Sequence, residues 1–419
     1  MICRIPTSLK LAVLLGLASL TARFALANEI PAAVPEDVGM SSERLDRVTT
    51  AVQKSIDAGK VQGAVVAIAR RGKVVYFEAL GLMDVEQKRP MTKDAIFHMA
   101  SSTKPLLGVA TMMMIEEGLI RATDPVEKYI PEFKGIQVAV LKEPADEDIS
   151  PIYVPGGKVP AHRLVAASRL VTIQDLLTHT SGLATNGLGS AVADLTWDNE
   201  TLATWIPKVG AGPLDFQPGS RWAYSGGVGL DVVARIIEIV SGTPFNIFLQ
   251  ERIFEPLGMT DSYHNVPNDK QSRQVILKGD KRRGPREPTQ YYSASYGLMS
   301  TARDYLNFEQ MLVNGGTLFG NRLLGPRSVA WMSSNQVGGL FREKGDTNGL
   351  GFGYTVAIVL DPIAARSPRS EGSFGWIGAA GTTSWTDPKE ELTAVIMAHP
   401  MSYDLHYGVA NAIRQALID

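Results

Sequence analysis

The stretch HMASSTKPLLG, residues 98–108, places two serines just before a lysine. Ser101 lies three residues before Lys104, and Ser102 lies two before it. Because residues three apart share one face of a helix and residues two apart do not, only Ser101 could reach Lys104 if the stretch is helical. A lysine that loses its charge through burial can act as a base towards a serine hydroxyl. This spacing therefore predicts a serine nucleophile at Ser101.

A helix is predicted to begin at about Ser101. Proline is tolerated in the first turn of a helix and not in its interior, and Pro105 directly follows the lysine. The residues that follow are apolar on nearly every side until Glu116, which is typical of a buried helix. Ser101 would then lie at a helix N-terminus, where free N–H groups and the helix dipole favour developing negative charge. The alternative is a serine N-cap beside a lysine that extends to solvent, because Ser-x-x-Lys is common by chance.

Two further stretches could complete such a site. Tyr224, in RWAYSGG, precedes a helix expected over 229–241, and its hydroxyl could relay a proton between the serine and a leaving group. The glycine-rich GSFGWIGAAG, residues 372–381, is expected at the edge of a strand, where glycines let a substrate approach backbone N–H groups. Two such donors make an oxyanion hole. From these residues alone, a core tyrosine and a flexible turn remain the alternatives.

Taken in order, these stretches resemble the three motifs of serine β-lactamases and penicillin-binding proteins, and more narrowly those of class C β-lactamases and family-VIII carboxylesterases. The motifs read SSTK at 101–104, YSG at 224–226 and WIG at 376–378. Connecting stretches also resemble that superfamily, namely VTIQDLLTHTSGL, FQPGSRWAYSGG, IFEPLGMTDS and YGLMSTARDY. The resemblance runs from about residue 35 to the C-terminus. It implies an α/β domain and a helical domain with the site between them.

The resemblance implies a role for each matching residue. Ser101 would be the nucleophile, and Lys104 the base that activates it, alone or together with Tyr224. Tyr224 would protonate the leaving group and then help to activate the deacylating water. The oxyanion hole would use the N–H groups of Ser101 and Ala379. His179, in THTSG, matches a connecting stretch and is expected to be structural.

Two positions depart from the β-lactamase pattern. The third motif usually begins with lysine and here begins with Trp376, and the second usually ends in asparagine and here ends in Gly226. The missing groups hold the carboxylate and amide of lactam and peptide substrates, whereas an indole offers apolar surface and one donor. Gly226, Trp376 and Gly378 are therefore expected to bind an uncharged ester. Family-VIII esterases also carry tryptophan at this position.

We therefore expect a serine esterase that forms an acyl-enzyme with short- to medium-chain esters, its partner being a small-molecule ester. Alternatives are a β-lactamase or D-amino-acid peptidase and, from another class, a catalytically silent penicillin-binding-like sensor; the intact Ser101, Lys104 and Tyr224 disfavour the last. The sequence contains no Gly-x-Ser-x-Gly, His-Glu-x-x-His or Walker motif. We expect neither a cofactor nor a metal.

Strand-like patterns lie at both ends of the chain. GAVVAIARRGKVVYFEALG predicts a hairpin around Arg71 and Gly72, and GTTSWTDPKEELTAVIMA predicts another around Asp387 and Pro388. The middle of the chain holds helical segments that stop at glycine. We expect an α/β (α+β) fold of the β-lactamase type, in which an antiparallel sheet built from both chain ends is flanked by helices and a mostly helical domain is inserted.

The predicted bounds follow from these patterns. The sheet domain is expected over 28–104 and 293–419, and the mainly helical domain over 105–292. Residues 133–170 and 262–292 are expected to form long irregular loops. The net charge of −2 and the best basic stretch, KGDKRRGPRE at 278–287, which contains no aromatic residue, favour a solvated loop and no nucleic-acid partner.

The N-terminus predicts export. Arg4 and Lys10 precede or flank the apolar run LAVLLGLASL, and ALA at 25–27 provides the small residues needed for cleavage after Ala27. Residues 1–27 are expected to be a signal peptide, and the mature chain to be periplasmic or secreted without a stable membrane anchor. An N-terminal anchor is the alternative, although the run is short for a span. The single cysteine, Cys3, lies in this segment, so the mature chain would have no thiol for catalysis or disulfides.

Overall fold

The computed structural model describes residues 29–142, 159–193, 200–279, 287–341 and 348–419. The predicted signal peptide and most of the basic stretch at 278–287 lie outside these residues. The strands are β1 (Gly63–Arg70), β2 (Lys73–Asp84), β3 (Arg89–Pro90), β4 (Phe97–His98), β5 (Gln137–Leu141), β6 (His162–Ala166), β7 (Met299–Ser300), β8 (Thr317–Leu318), β9 (Asn321–Arg322), β10 (Leu350–Phe352), β11 (Ala357–Val359), β12 (Phe374–Ile377), β13 (Thr382–Asp387) and β14 (Leu392–His399). The α-helices are α1 (Ser42–Leu45), α2 (Arg47–Asp57), α3 (Lys104–Glu116), α4 (Ile173–Leu177), α5 (Leu188–Ala193), α6 (Leu202–Gly210), α7 (Asp231–Ser241), α8 (Phe245–Leu249), α9 (Ala302–Val313), α10 (Pro326–Met332) and α11 (Tyr403–Ala416).

Strands from both ends of the chain form one eight-stranded antiparallel sheet, in the order β10-β11-β12-β13-β14-β1-β2-β3. The first and last long strands therefore lie side by side, with Gly63 opposite His399 and Arg70 opposite Leu392. This arrangement confirms the predicted fold class, an antiparallel sheet that draws its strands from both chain ends and is flanked by helices.

The central strands are covered on both faces. Every residue of β1 and β14 is buried, which explains why their sequences are almost continuously apolar rather than alternating. Ala64, Val66 and Ile68 share a core with α1, α2 and α11, whereas Val65 and Ala67 face the larger core that includes the inserted helices. Helix α9 also packs on this second face, against β14, β1 and β13.

Both predicted hairpins are confirmed. Arg71 and Gly72 join β1 to β2 and have positive φ angles of 49° and 70°, the conformation that a two-residue hairpin turn requires. The second hairpin joins β13 to β14 through residues 388–391, with Asp387 opposite Leu392.

The expectation of an irregular loop over 133–170 is wrong at both ends of the segment. Gln137–Leu141 and His162–Ala166 pair as an antiparallel hairpin, β5 with β6. All five residues of β6 are at least partly exposed, so the strand lacks the run of buried apolar residues that marks β1. In the second expected loop, over 262–292, Asn268–Arg273 form a 3₁₀-helix.

The start of the helix behind Ser101 also differs from its prediction. Ala100–Thr103 form a 3₁₀ turn, and the α-helix α3 begins at Lys104 with Pro105 in its first turn. The helix expected over 229–241 likewise begins two residues later, at Asp231. The bounds of the sheet and helical domains stay a prediction. Within the described residues, no single helix is long and apolar enough to span a membrane, although α7 and the helical segment Phe245–Phe254, bent by 82°, meet the length and composition requirements as a pair.

Candidate active site

Ser101 and Lys104 are in direct contact, as their spacing predicted. The Lys104 Nζ lies 3.1 Å from the Ser101 Oγ. The 3₁₀ turn explains the contact, because residues three apart eclipse each other in a 3₁₀-helix. Ser102 is buried and points elsewhere, with its Oγ 3.0 Å from the Oγ1 of Thr382 on β13. Of the two adjacent serines, Ser101 is therefore the one paired with the lysine.

Neighbouring side chains hold the turn that carries Ser101. Ala100 adopts a positive φ of 46°, which is unfavourable for a residue with a Cβ. The Thr103 hydroxyl donates to the Ala100 carbonyl at 2.7 Å and accepts from the N–H of Leu298 at 3.1 Å. The Tyr305 hydroxyl donates to the Ser102 carbonyl at 2.6 Å. A backbone conformation of this kind persists where the surroundings fix it, and it is common at functional sites.

Lys104 is fully buried and surrounded by oxygen atoms. Besides Ser101, its Nζ contacts the main-chain carbonyls of Gly226 at 3.1 Å and Ser295 at 2.6 Å. Burial lowers the pKa of Lys104 to about 7, and the negative charge of Asp231 opposes that change. A neutral amine has two N–H groups for the two carbonyls and one lone pair for the serine hydroxyl. The geometry therefore suits Lys104 as a base towards Ser101.

Tyr224 lies beside Lys104. Its ring centroid is 5.1 Å from the Lys104 Nζ, and its hydroxyl accepts the Nε1–H of Trp376 at 3.3 Å. Burial raises the pKa of Tyr224 above its usual value, although the hydrogen bonds with Ser101 and Trp376 oppose the change. The phenol therefore keeps its proton at neutral pH and is able to donate it.

The structure places the three expected substrate-binding residues next to Lys104, Tyr224 and the segment that carries Ser101. Gly226 contributes its carbonyl to Lys104, and the Nε1–H of Trp376 donates to the Tyr224 hydroxyl at 3.3 Å. A Cβ at Gly378 would lie 2.1 Å from the Met99 carbonyl oxygen, so only glycine lets this turn approach the segment before Ser101.

Ala379 follows Gly378 in the turn between β12 and β13, and it is exposed. The N–H of Gly378 donates to the Thr382 carbonyl at 2.7 Å, which closes the turn. Thr382 in turn contacts Ser102, so this turn is tied to the segment that carries Ser101. The oxyanion role of the Ser101 and Ala379 N–H groups stays a prediction.

His179 has the surroundings of a structural residue. Burial and the charge of Lys104 lower its pKa well below the usual value, so the ring is neutral. Its Nδ1 accepts the N–H of Ser225 at 3.3 Å, and its ring packs against Tyr224 with centroids 4.8 Å apart. His179 therefore positions the loop that carries Tyr224, in keeping with its expected structural role.

A group of aromatic side chains borders Tyr224, and sequence reasoning found only one of its members. We call it the aromatic wall, and it consists of Trp222, Phe341, Phe352 and Trp376. Phe352 contacts Trp376 and Phe341, each at a centroid distance of 5.2 Å, and Trp222 contacts Phe341 at 4.7 Å. Trp222 is two residues from Tyr224 and could have been suspected, but Phe341 and Phe352 come from a distant part of the chain that carries no motif.

Comparisons with known proteins agree with this architecture. A family model described as Beta-lactamase matches residues 48–417. The chain is 32% identical over 370 residues to Protein Rv1367c of Mycobacterium tuberculosis, covering 83% of this chain and 88% of the relative. It is 28% identical over 421 residues to Esterase EstB of Burkholderia gladioli, covering 92% and 97% respectively. The solved structure of EstCE1, a hydrolase with promiscuous acyltransferase activity, matches with a TM-score of 0.69 at 23% identity, covering 89% of this chain and 99% of that one.

Proposed function

The chain belongs to the beta-lactamase family and is a serine hydrolase, and from this premise we propose that it cleaves carboxylic esters of short to medium acyl chain through an acyl-enzyme on Ser101. One observation carries the proposal. The Ser101 hydroxyl lies 3.1 Å from the Nζ of a buried lysine whose pKa burial has lowered to about 7. At neutral pH a large fraction of this lysine is uncharged and able to accept the serine proton.

Acylation would proceed by attack of the Ser101 Oγ on the ester carbonyl while Lys104 accepts the hydroxyl proton. The N–H groups of Ser101 and Ala379 would stabilise the negative charge that develops on the carbonyl oxygen. Tyr224 would donate its proton to the departing alkoxide, releasing the alcohol, and would regain a proton from the Lys104 ammonium. In deacylation, water attacks the acyl carbonyl while its proton passes to the Lys104 amine, either directly or through Tyr224, which accepts this proton as it gives its own to Lys104. The Lys104 ammonium then returns a proton to the Ser101 Oγ as the acyl C–O bond breaks and the acid is released.

The residues around this machinery favour an uncharged substrate. The aromatic wall lies beside Tyr224, the residue that would protonate the leaving group, so it would contact the alcohol or acyl portion through apolar surface. Trp376 stands where β-lactamases carry a lysine for the substrate carboxylate. Burying a carboxylate without a partner is costly, whereas an ester carries no such charge. A relative covering nearly the whole chain, EstB, is named an esterase.

The alternatives are weaker for physical reasons. A β-lactamase or D-amino-acid peptidase uses a cation and an amide at positions that here hold Trp376 and Gly226. A catalytically silent sensor has no need of a lysine whose burial lowers its pKa, nor of a tyrosine ring packed beside that lysine. The contacts among Ser101, Lys104 and Tyr224 therefore favour an enzyme.

We further propose that the protein acts after export, in the periplasm or outside the cell, on small-molecule esters and without a cofactor. The basic N-terminus, the apolar run and the small residues before Asn28 support export. Residues 1–27 would be removed, and the mature chain would keep no membrane anchor.

A parallel hydrolysis assay tests the proposed function. Purified protein is given p-nitrophenyl butyrate, a cephalosporin, benzylpenicillin and a D-Ala-D-Ala peptide under the same conditions. We expect the ester to be hydrolysed with the highest kcat/KM. Faster turnover of the penicillin or the peptide would replace the esterase assignment with the corresponding alternative, and no turnover of any substrate would favour the silent sensor.

A further inference from the structure

We propose that Asp231 is a positioning residue for the reaction: its buried carboxylate orders the segment whose carbonyl holds Lys104, and it supplies the negative charge that the Lys104 amine experiences. The inference rests on the proposed function, because it concerns the residue that activates Ser101. Nothing in the sequence singled out Asp231, which looks like an ordinary acidic residue in the first turn of a helix.

Asp231 is connected to Lys104 through a single residue. It is the first residue of α7, and it is completely buried. Its Oδ1 accepts the N–H of Ser295 at 2.9 Å, and the carbonyl of Ser295 accepts from the Lys104 Nζ at 2.6 Å. The carboxylate therefore fixes the main chain of Ser295, and Ser295 in turn fixes the lysine.

Further hydrogen bonds hold the carboxylate in place. The Tyr291 hydroxyl donates to its Oδ2 at 2.7 Å, and the Ser293 hydroxyl lies 3.1 Å from both carboxylate oxygens. These donors and the N-terminus of α7 stabilise a negative charge. In the part of the chain that the structure describes, Asp231 has no ion-pair partner. Burial raises the pKa of Asp231, and the positive charge of Lys104 nevertheless opposes that rise. Burying a carboxylate without an ion-pair partner costs stability, so a functional role explains its presence here.

The role of Asp231 follows from two opposing effects on the pKa of Lys104. Burial alone can lower the pKa of a lysine to roughly 5–6, and so weak a base removes a serine proton poorly. The negative charge of Asp231 acts in the opposite direction and favours the ammonium. Together the two effects give a pKa of about 7, close to the value at which a general base works best in neutral solution.

The other titratable groups around Lys104 are neutral near pH 7, so they do not replace Asp231. Burial and the charge of Lys104 lower the pKa of His179, which leaves its ring uncharged. Burial raises the pKa values of Tyr224 and Tyr291, which leaves both phenols protonated. The pKa of Asp231 is itself raised by burial, to about 6, so its carboxylate is charged above that pH.

The substitution Asp231→Asn tests the proposal, because it keeps the shape and most hydrogen bonds and removes the charge. The measured quantity is the rate at which a fluorophosphonate modifies Ser101, followed from pH 5 to 9. In the unsubstituted protein we expect this rate to rise with pH, with its midpoint near the Lys104 pKa of about 7. In Asp231→Asn the ammonium loses its counter-charge, so the midpoint should move about one pH unit or more towards acid. The limiting rate at high pH should fall, because the base is weaker.

Asp304→Asn is the matched control. Asp304 is also buried in the first turn of a helix, α9, where it accepts the N–H of Asp261 at 2.7 Å and the Ser262 hydroxyl at 2.9 Å. Burial raises its pKa to about 6, like that of Asp231, but it makes no contact with the Lys104 carbonyls. We expect Asp304→Asn to lower thermal stability and to leave the midpoint of the pH profile unchanged.

The outcomes separate this inference from the proposed function. An unchanged midpoint in Asp231→Asn, or an equal shift in Asp304→Asn, would overturn the role of Asp231 and leave the serine hydrolase mechanism intact. Failure of the unsubstituted protein to react at Ser101 would overturn both. If Asp231→Asn does not fold, Tyr291→Phe removes one donor from the carboxylate, which raises the pKa of Asp231 and so reduces its negative charge near pH 7. A smaller shift of the midpoint in the same direction then supports the proposal, and no shift overturns it.

Discussion

The indole N–H of Trp376 donates to the hydroxyl of Tyr224, with the nitrogen 3.3 Å from the oxygen. The residue that replaces the lysine of the third motif thus acts on the tyrosine of the second. Its one donor is used within the protein, so Trp376 can offer a substrate apolar surface but not a free hydrogen bond. The phenol accepts from the indole, which leaves its own O–H for Ser101 or a leaving group.

We expect Ser101→Ala to abolish ester hydrolysis and Ser102→Ala to leave most of it. Ser101 contacts Lys104, whereas Ser102 is turned towards Thr382. Because its hydroxyl ties two elements together, Ser102→Ala should lower the free energy of unfolding by about 1 kcal/mol. Mass spectrometry after fluorophosphonate labelling should locate the adduct on Ser101. An adduct on any other serine would refute the assignment.

Lys104→Ala and Tyr224→Phe are each expected to lower kcat by at least ~10²-fold, the size of a typical general acid–base contribution. The two effects should not add in the double variant, because residues that act as one unit fail together. Circular dichroism and thermal melts of each variant control for loss of fold. Near-full activity of Tyr224→Phe would show that Tyr224 is only a packing residue.

The pairing of Ser101 with Lys104 could be predicted from sequence because it depends on local geometry, namely a three-residue spacing and a proline that marks the helix start. The same holds for the two hairpins, since β1 and β14 are continuous apolar runs bounded by turn residues. Gly226 and Ser295 illustrate the opposite case. They hold Lys104 through main-chain carbonyls, which every residue type possesses, so no residue pattern marks them.

Phe341, Phe352 and Asp231 could not be found for another reason. Each contacts the site through tertiary packing between segments that are far apart in sequence. The hairpin of β5 and β6 was missed because a partly exposed strand has no strong apolar pattern. Motifs thus identify the reacting groups, whereas the residues that orient them become visible only in the fold.

Export gives a prediction that is independent of the chemistry. The mature protein should begin at Asn28 and be found in the periplasm or medium of a secreting host, because the small residues before that position suit signal peptidase. N-terminal sequencing of the purified fraction measures this directly. An intact N-terminus on protein from the cytoplasm would contradict the prediction.

We expect substrate choice to depend most on Trp376 and Gly226. The groups proposed to assist acylation, Lys104 and Tyr224, would act in the same way on an ester and on a lactam. Selectivity must therefore come from the surrounding contacts. A charge-assisted hydrogen bond is worth roughly 1.5–3 kcal/mol, and this chain lacks the lysine and asparagine that would provide such bonds to a penicillin. We therefore expect kcat/KM for p-nitrophenyl butyrate to exceed that for benzylpenicillin by at least ~10²-fold.

The substitution Trp376→Lys should reduce the difference in kcat/KM between p-nitrophenyl butyrate and benzylpenicillin, mainly by lowering ester activity. It removes the hydrogen bond to the Tyr224 hydroxyl and the edge-to-face contact with Phe352, and it places a second ammonium near Lys104. Trp376→Phe separates these effects, since it keeps an aromatic ring, removes the donor and adds no charge. It should lower ester kcat/KM by about 2- to 10-fold, the value of one neutral hydrogen bond, without raising penicillin turnover. If Trp376→Lys left ester activity unchanged, the indole would not support Tyr224. If the unsubstituted protein turned over benzylpenicillin and p-nitrophenyl butyrate equally well, it would be a β-lactamase instead.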